Sequence, residues 1–171
     1  MGGSMNIFST NEVIEMAVQI ERSGYTFYER ALGKDNLDQE TRDLLTILKN
    51  EEVKHEQYFL SLREDVDLFN MDEAHDWEMI SSYIKMITDS RLFSDEKSAM
   101  ALVDEAKSVL DIINYAITFE KDTLLFFHTL RDKVHTESTK EVIQNIIQEE
   151  ITHVFRLTEY KKKLINKGAK L

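Results

Sequence analysis

Two stretches of the chain repeat one chemical pattern. ILKNEEVKHEQYF carries Glu52 and His55, and IIQEEITHVF carries Glu150 and His153. On a helix, a Glu and a His three residues apart share one face. Leu45, Leu48, Phe59 and Leu62 continue the first face, and Ile143, Ile146, Leu157 and Tyr160 the second, so both pairs point into apolar surroundings. Two further acids, Glu21 and Glu120, interrupt otherwise apolar stripes in the same way. Singly, each of these residues reads as a solvated or salt-bridged side chain. Six together are different, because four carboxylates in one core would repel and most would be forced to protonate. Two divalent metal ions supply the missing positive charge. A carboxylate-rich set with one imidazole per metal suits iron or manganese better than zinc or copper. His75, His128 and His135 have no comparable setting.

Four long helices must present these groups. The first is expected to start after Ser9 or Thr10, where Ser9 and Glu12 have capping-box spacing, and to reach about Leu32. Its inward stripe reads Ile14, Val18, Glu21, Tyr25, Tyr28, and Gly33 offers a C-cap. Asp38 is the expected N-cap of the second helix, which extends to about Arg63. The short loop between them makes the pair antiparallel neighbours. The third begins near Ser108, with Asp111 completing a capping box, and ends around Lys133; its stripe is Val109, Ile113, Ala116, Glu120, Phe127, Leu130. The fourth starts after Ser138, paired with Glu141, and runs to about Asn166. Residues 64–107 read as a long crossover. Within it, Glu73 to Thr88 has helical periodicity around Trp77, Ile80, Ile84 and Ile87, and Ser94 to Lys107 suits one or two short helices.

The halves align internally. AVQIERSGYTFY lies over AITFEKDTLLFF, and RDLLTILKNEEVKH over KEVIQNIIQEEITH. Glu21 maps to Glu120 at an offset of 99, and Glu52 and His55 map to Glu150 and His153 at 98. The expected architecture is therefore all-α, a four-helix bundle of two helix-pair repeats joined by a partly helical crossover.

Composition narrows the function classes. The 171 residues suffice for one domain, 5–171, with Met1-Gly2-Gly3-Ser4 reading as an added leader ahead of a start at Met5. There is no proline and there are only five glycines, which favours long helices. The absence of cysteine excludes thiol chemistry and any thiolate-ligated zinc, iron–sulfur or rubredoxin-type centre within these residues. A net charge of −11 argues against nucleic acid or an anionic membrane as partner. The lysines at 161–163, 167 and 170 fall at the end of the last helix, where they complement its dipole. No apolar run approaches a membrane span and no secretory leader is visible, so a cytoplasmic location is the default expectation.

With IERSGYTFYE, EEVKH, ITFEKD and EEITH in place across all four helices, the chain resembles the rubrerythrin branch of the ferritin-like superfamily. Bacterioferritins also carry two Glu-x-x-His motifs. The GYTFYE context after Glu21 and the near-symmetry of the halves favour the rubrerythrin side. The resemblance implies bridging roles for Glu52 and Glu150, terminal carboxylates at Glu21 and Glu120, and one metal for each of His55 and His153. It also implies a place for Tyr28 beside the metals, although its repeat partner is Phe127. Two features depart from the family. The cysteine-bearing rubredoxin domain is missing from these residues, and Thr123 stands where many members have an extra glutamate that exchanges with a histidine.

What the resemblance implies is a non-haem di-iron oxidoreductase, with manganese the other metal the ligands suit, that reduces hydrogen peroxide. Electrons would come from a separate rubredoxin or flavoprotein. The alternatives are a ferroxidase or iron store, reacting with oxygen and taking Fe(II) as substrate, and a metal-binding module with little turnover. A homodimer is expected, because Trp77, Met79, Ile80 and Tyr83 of the crossover offer apolar surface.

Overall fold

A computed structural model describes residues 10–35, 37–63, 82, 96–134 and 136–168. These residues form five helices: α1 Thr10–Leu32, α2 Gln39–Ser61, α3 Glu96–Glu105, α4 Val109–Lys133 and α5 Glu137–Gly168. No strand occurs among them, and none of these helices is long and apolar enough to cross a membrane. Ser9, the leader and, apart from residue 82, the 73–88 stretch with Trp77, Met79, Ile80 and Tyr83 lie outside the described residues, as do His75 and His135.

Local chemistry sets most of the boundaries. Asp38 holds an extended backbone ahead of α2, and its carboxylate accepts the Thr41 N–H at 2.8 Å. Such a cap contributes about 1 kcal/mol to a helix. Ser108 caps α4 by accepting the Asp111 N–H at 3.2 Å. Asp111 answers through the Lys107 N–H and the Ser108 hydroxyl, both at 3.0 Å.

Two ends differ from expectation. α1 does not end on a left-handed glycine, since no described glycine has positive φ. Instead its last turn tightens, with Gly33 N–H donating to the Arg30 carbonyl and Lys34 N–H to that of Ala31. The Arg42 guanidinium then donates to the Leu32 and Lys34 carbonyls at 3.0 and 3.2 Å. A charged side chain from α2 thus does what a glycine cap would otherwise do. α5 begins at Glu137 rather than after Ser138, because the Thr136 carbonyl already accepts the Lys140 N–H at 3.0 Å. An acid in that first turn suits the helix dipole.

α1 packs along α2, α4 packs along α5, and α3 lies on α1. Apolar burial drives each contact: Ala99, Leu102 and Val103 are the buried face of α3, while Arg30 and Asp104 pair at 2.7 Å outside it. Aromatic rings fill the interior, with Phe59 stacked on Phe127 at 5.0 Å between centroids and Phe27 parallel to Phe119 at 6.5 Å. Tyr25 departs from its expected inward place. It is 37% exposed, with the Lys49 ammonium 5.8 Å above its ring, and Phe27 and Gly24 take the inward positions instead. Among the C-terminal lysines, Lys163 pairs with Glu40 at 2.7 Å and Lys167 with Asp38 at 3.7 Å at the surface.

Candidate metal centre

Each of the six anticipated residues is buried, none more than 2% exposed. α1 contributes Glu21, α2 Glu52 and His55, α4 Glu120, and α5 Glu150 and His153. Glu150 lies at the centre. One carboxylate oxygen is 2.9 Å from His55 Nδ1 and the other 2.8 Å from His153 Nδ1. The imidazoles face each other, their centroids 6.2 Å apart and their planes 23° from parallel. Glu21 stands 3.6 Å from His55 Nδ1, and Glu120 stands 3.5 Å from His153 Nδ1.

These contacts are close, yet seven of the eight carboxylate oxygens and both Nδ1 atoms make no hydrogen bond. Buried polar atoms are almost always satisfied, so this many without a hydrogen bond in one place form a set that could hold a metal ion. The donor atoms form two groups, each within 4.8 Å of one another: Glu52, Glu120, Glu150 and His153 in one, Glu21, His55 and Glu150 in the other. Glu150 belongs to both. The carboxylate-rich character of this Glu/His set suits a hard cation.

The electrostatics of the protein alone record the same frustration. Burial pushes the Glu21 carboxyl above the usual carboxylate range, with His55 opposing. Burial and the neighbouring Glu21 and Glu120 push Glu52 well above it. Glu120 rises to about 8 through burial and the charge of Glu150. Burial also opposes ionisation of Glu150, but the flanking His153 and His55 outweigh it and hold that carboxyl low. His55 is carried up to about 11, burial notwithstanding, by Glu21 and Glu150. His153 rises further on account of Glu120, Glu150 and Glu51. Protons thus occupy the role for which the site is short of positive charge.

The outer sides of the imidazoles carry a feature that Glu-x-x-His spacing does not show. His55 Nε2 bonds Glu149 of α5 at 2.8 Å, and His153 Nε2 bonds Glu51 of α2 at 2.6 Å. Each helix pair supplies the carboxylate that orients the other pair's imidazole. An acceptor at Nε2 places the proton there and leaves Nδ1 free to ligate. The doubled acids of EEVKH and EEITH supply these carboxylates, although their spacing does not say which imidazole each one meets. Tyr28 is fully buried, and its hydroxyl donates to Glu120 across the two pairs. Burial and the Glu120 charge raise that hydroxyl well above the ordinary tyrosine range.

Gly24 is the other unanticipated participant. A Cβ there would lie 2.7 Å from Glu52 Oε2 and 2.8 Å from Phe119 Cε1, closer than real Cβ atoms come. The missing side chain lets the Glu52 carboxylate rest against the backbone of α1. His128 is half-buried on α4 and belongs to neither donor group. No protein-family model matches the chain, and no curated protein or solved structure matches it at a significant level.

Proposed function

We propose that the chain is a ferritin-like four-helix bundle of the rubrerythrin type, one domain over 5–171, that holds two iron ions and reduces hydrogen peroxide. The observation that carries this reading is the pair of donor groups sharing Glu150, with nine carboxylate and imidazole atoms buried and without a hydrogen bond. Glu21, Glu52, His55, Glu120, Glu150 and His153 would hold the metals, Glu150 being the one residue common to both donor groups. A ferrous pair, when bound, would supply the two electrons that reducing a peroxide requires.

The chain's own residues do the rest. Glu149 and Glu51 hold His55 and His153 with Nδ1 turned inward. The apolar stripes exclude water, which strengthens every charge interaction inside. The Tyr28 hydroxyl donates to Glu120 Oε1 and so holds a proton beside the donor set. With no cysteine and no second redox group in these residues, the electrons that restore the ferrous state come from a separate protein, a rubredoxin or a flavoprotein.

The test is metal analysis of protein purified without oxygen, followed by one equivalent of peroxide under optical monitoring. The expected result is two irons per chain, fast oxidation by peroxide, slower oxidation by oxygen, and turnover only with an added reductant protein. Iron accumulating well beyond two per chain, with oxygen the faster oxidant, replaces this reading with the ferroxidase. Metal retained without peroxide consumption replaces it with the binding module.

A further inference from the structure

Threonine inside a helix has a ready partner in the carbonyl four residues back. Thr118, Thr129 and Thr152 take it, donating to the Asn114, Leu125 and Gln148 carbonyls at 3.1, 2.9 and 3.0 Å. Thr123 lies on α4 between two of them and does not. It is 1% exposed, and its hydroxyl finds no partner among the described residues. A buried hydroxyl that forgoes its own helix is costly unless something else receives it.

Its position says what that is. Thr123 follows Glu120 by one helical turn on the buried face of α4. Glu120 itself touches His153 and Tyr28. On α1 the residue one turn after Glu21 is Gly24, and a Cβ there would press on the Glu52 carboxylate. On α1 the position one turn beyond the acid is therefore where helix backbone meets a donor carboxylate. α1 leaves it bare, while α4 carries a methyl and a hydroxyl at the equivalent position.

We infer that the Thr123 hydroxyl is the hydrogen-bond donor for a small anionic ligand entering the centre, of the class of hydroxide, hydroperoxide or azide. The inference rests on the dinuclear reading above. The hydroxyl donates to the ligand atom that carries the charge. Because Gly24, its counterpart on α1, has no side chain, that hydrogen bond comes from the α4 side.

The experiment loads the full chain with two equivalents of cobalt(II), which is redox-silent toward azide, and follows azide binding by its visible bands. Thr123→Val, which keeps the shape and removes the hydroxyl, should still bind two metals. Its metal-free melting temperature should equal or exceed that of the wild type, since an unpaired buried hydroxyl has gone. Azide should bind it about tenfold more weakly, with Thr123→Ser recovering most of the loss. Unchanged azide affinity in a two-metal Thr123→Val protein overturns the inference and leaves the metal site standing. A lower metal-free melting temperature for Thr123→Val also overturns it, because the hydroxyl would then be serving the fold. A wild-type chain that takes up no metal overturns both readings.

Discussion

Replacing Gly24 by alanine sets two opposing effects against each other in the middle of α1. Alanine is the better helix residue, by roughly 1 kcal/mol in a helix interior. Against that, the new methyl meets Glu52 Oε2 at 2.7 Å and the Phe119 ring at 2.8 Å, where ordinary contact begins at 3.4 Å. Both neighbours are fully or almost fully buried, so neither can swing into solvent. Overpacking of this kind costs about 1–3 kcal/mol. The clash should win, leaving Gly24→Ala less stable than wild type by up to about 2 kcal/mol in urea unfolding of the metal-free protein. The effect on metal should be larger in proportion, because the atom displaced by several tenths of an ångström is a donor. A drop of about 10–100-fold in affinity is the usual consequence of disturbing a ligand's support. The assay pairs the urea titration with a competitive metal titration on the same preparation. A variant about 1 kcal/mol more stable than wild type, with metal affinity unchanged, would show that Glu52 does not need the bare backbone of α1.

Other consequences can be checked directly. Chelation should lower the melting temperature, since metal at a hundred times its dissociation constant stabilises the native state by about 2.7 kcal/mol per site. Glu52→Ala should bind neither ion; two ions retained in that variant would remove Glu52 from the bridge. Glu149→Ala and Glu51→Ala should each weaken metal binding about 10–100-fold while leaving the fold intact, read by metal titration beside circular dichroism. The metal-free protein should lose stability as pH rises. Glu120 and His55 both have folded values above their ordinary ones, about 8 and about 11, so their contributions are complete below pH 4.5 and 6.5 and disappear as pH climbs through the folded values. Metal uptake should run the other way and tighten with pH, because the ions compete with those protons. A metal-free melting temperature that climbs between pH 6 and 9 would contradict the assignment.

Residues whose burial follows from periodicity alone were legible in the sequence. The stripes of α2, α4 and α5 bury Leu45, Leu48, Phe59, Ile113, Ala116, Ile143 and Leu157, and carry the acids and imidazoles inward with them. Capping chemistry was legible at Asp38 and Ser108, where one short side chain decides the matter. Tyr25 was not, because it sits at the rim of the inward arc and the Lys49 ammonium gives its ring a reason to stay out. The end of α1 at Leu32 was legible, but its cap was not, because it comes from Arg42, which only the tertiary fold brings to those carbonyls. Glu51 and Glu149 belong to the same class: their partners lie 102 and 94 residues away. No local spacing records such a bond.

That exchange of carboxylates bears on how the chain comes together. Neither hairpin contains a finished imidazole ligand, because the group that fixes each ring's proton belongs to the other half. A nascent chain that has made only α1 and α2 holds one Glu-x-x-His with its ring free to rotate and its inner nitrogen unspecified. Closure across about a hundred residues must come first, and loops of that length close slowly relative to helix formation. Any ion the finished protein retains is therefore gained late and released early when the halves part. Retained metal would then count closed molecules, so its loss during gentle denaturation should coincide with separation of the two hairpins and precede melting of either one.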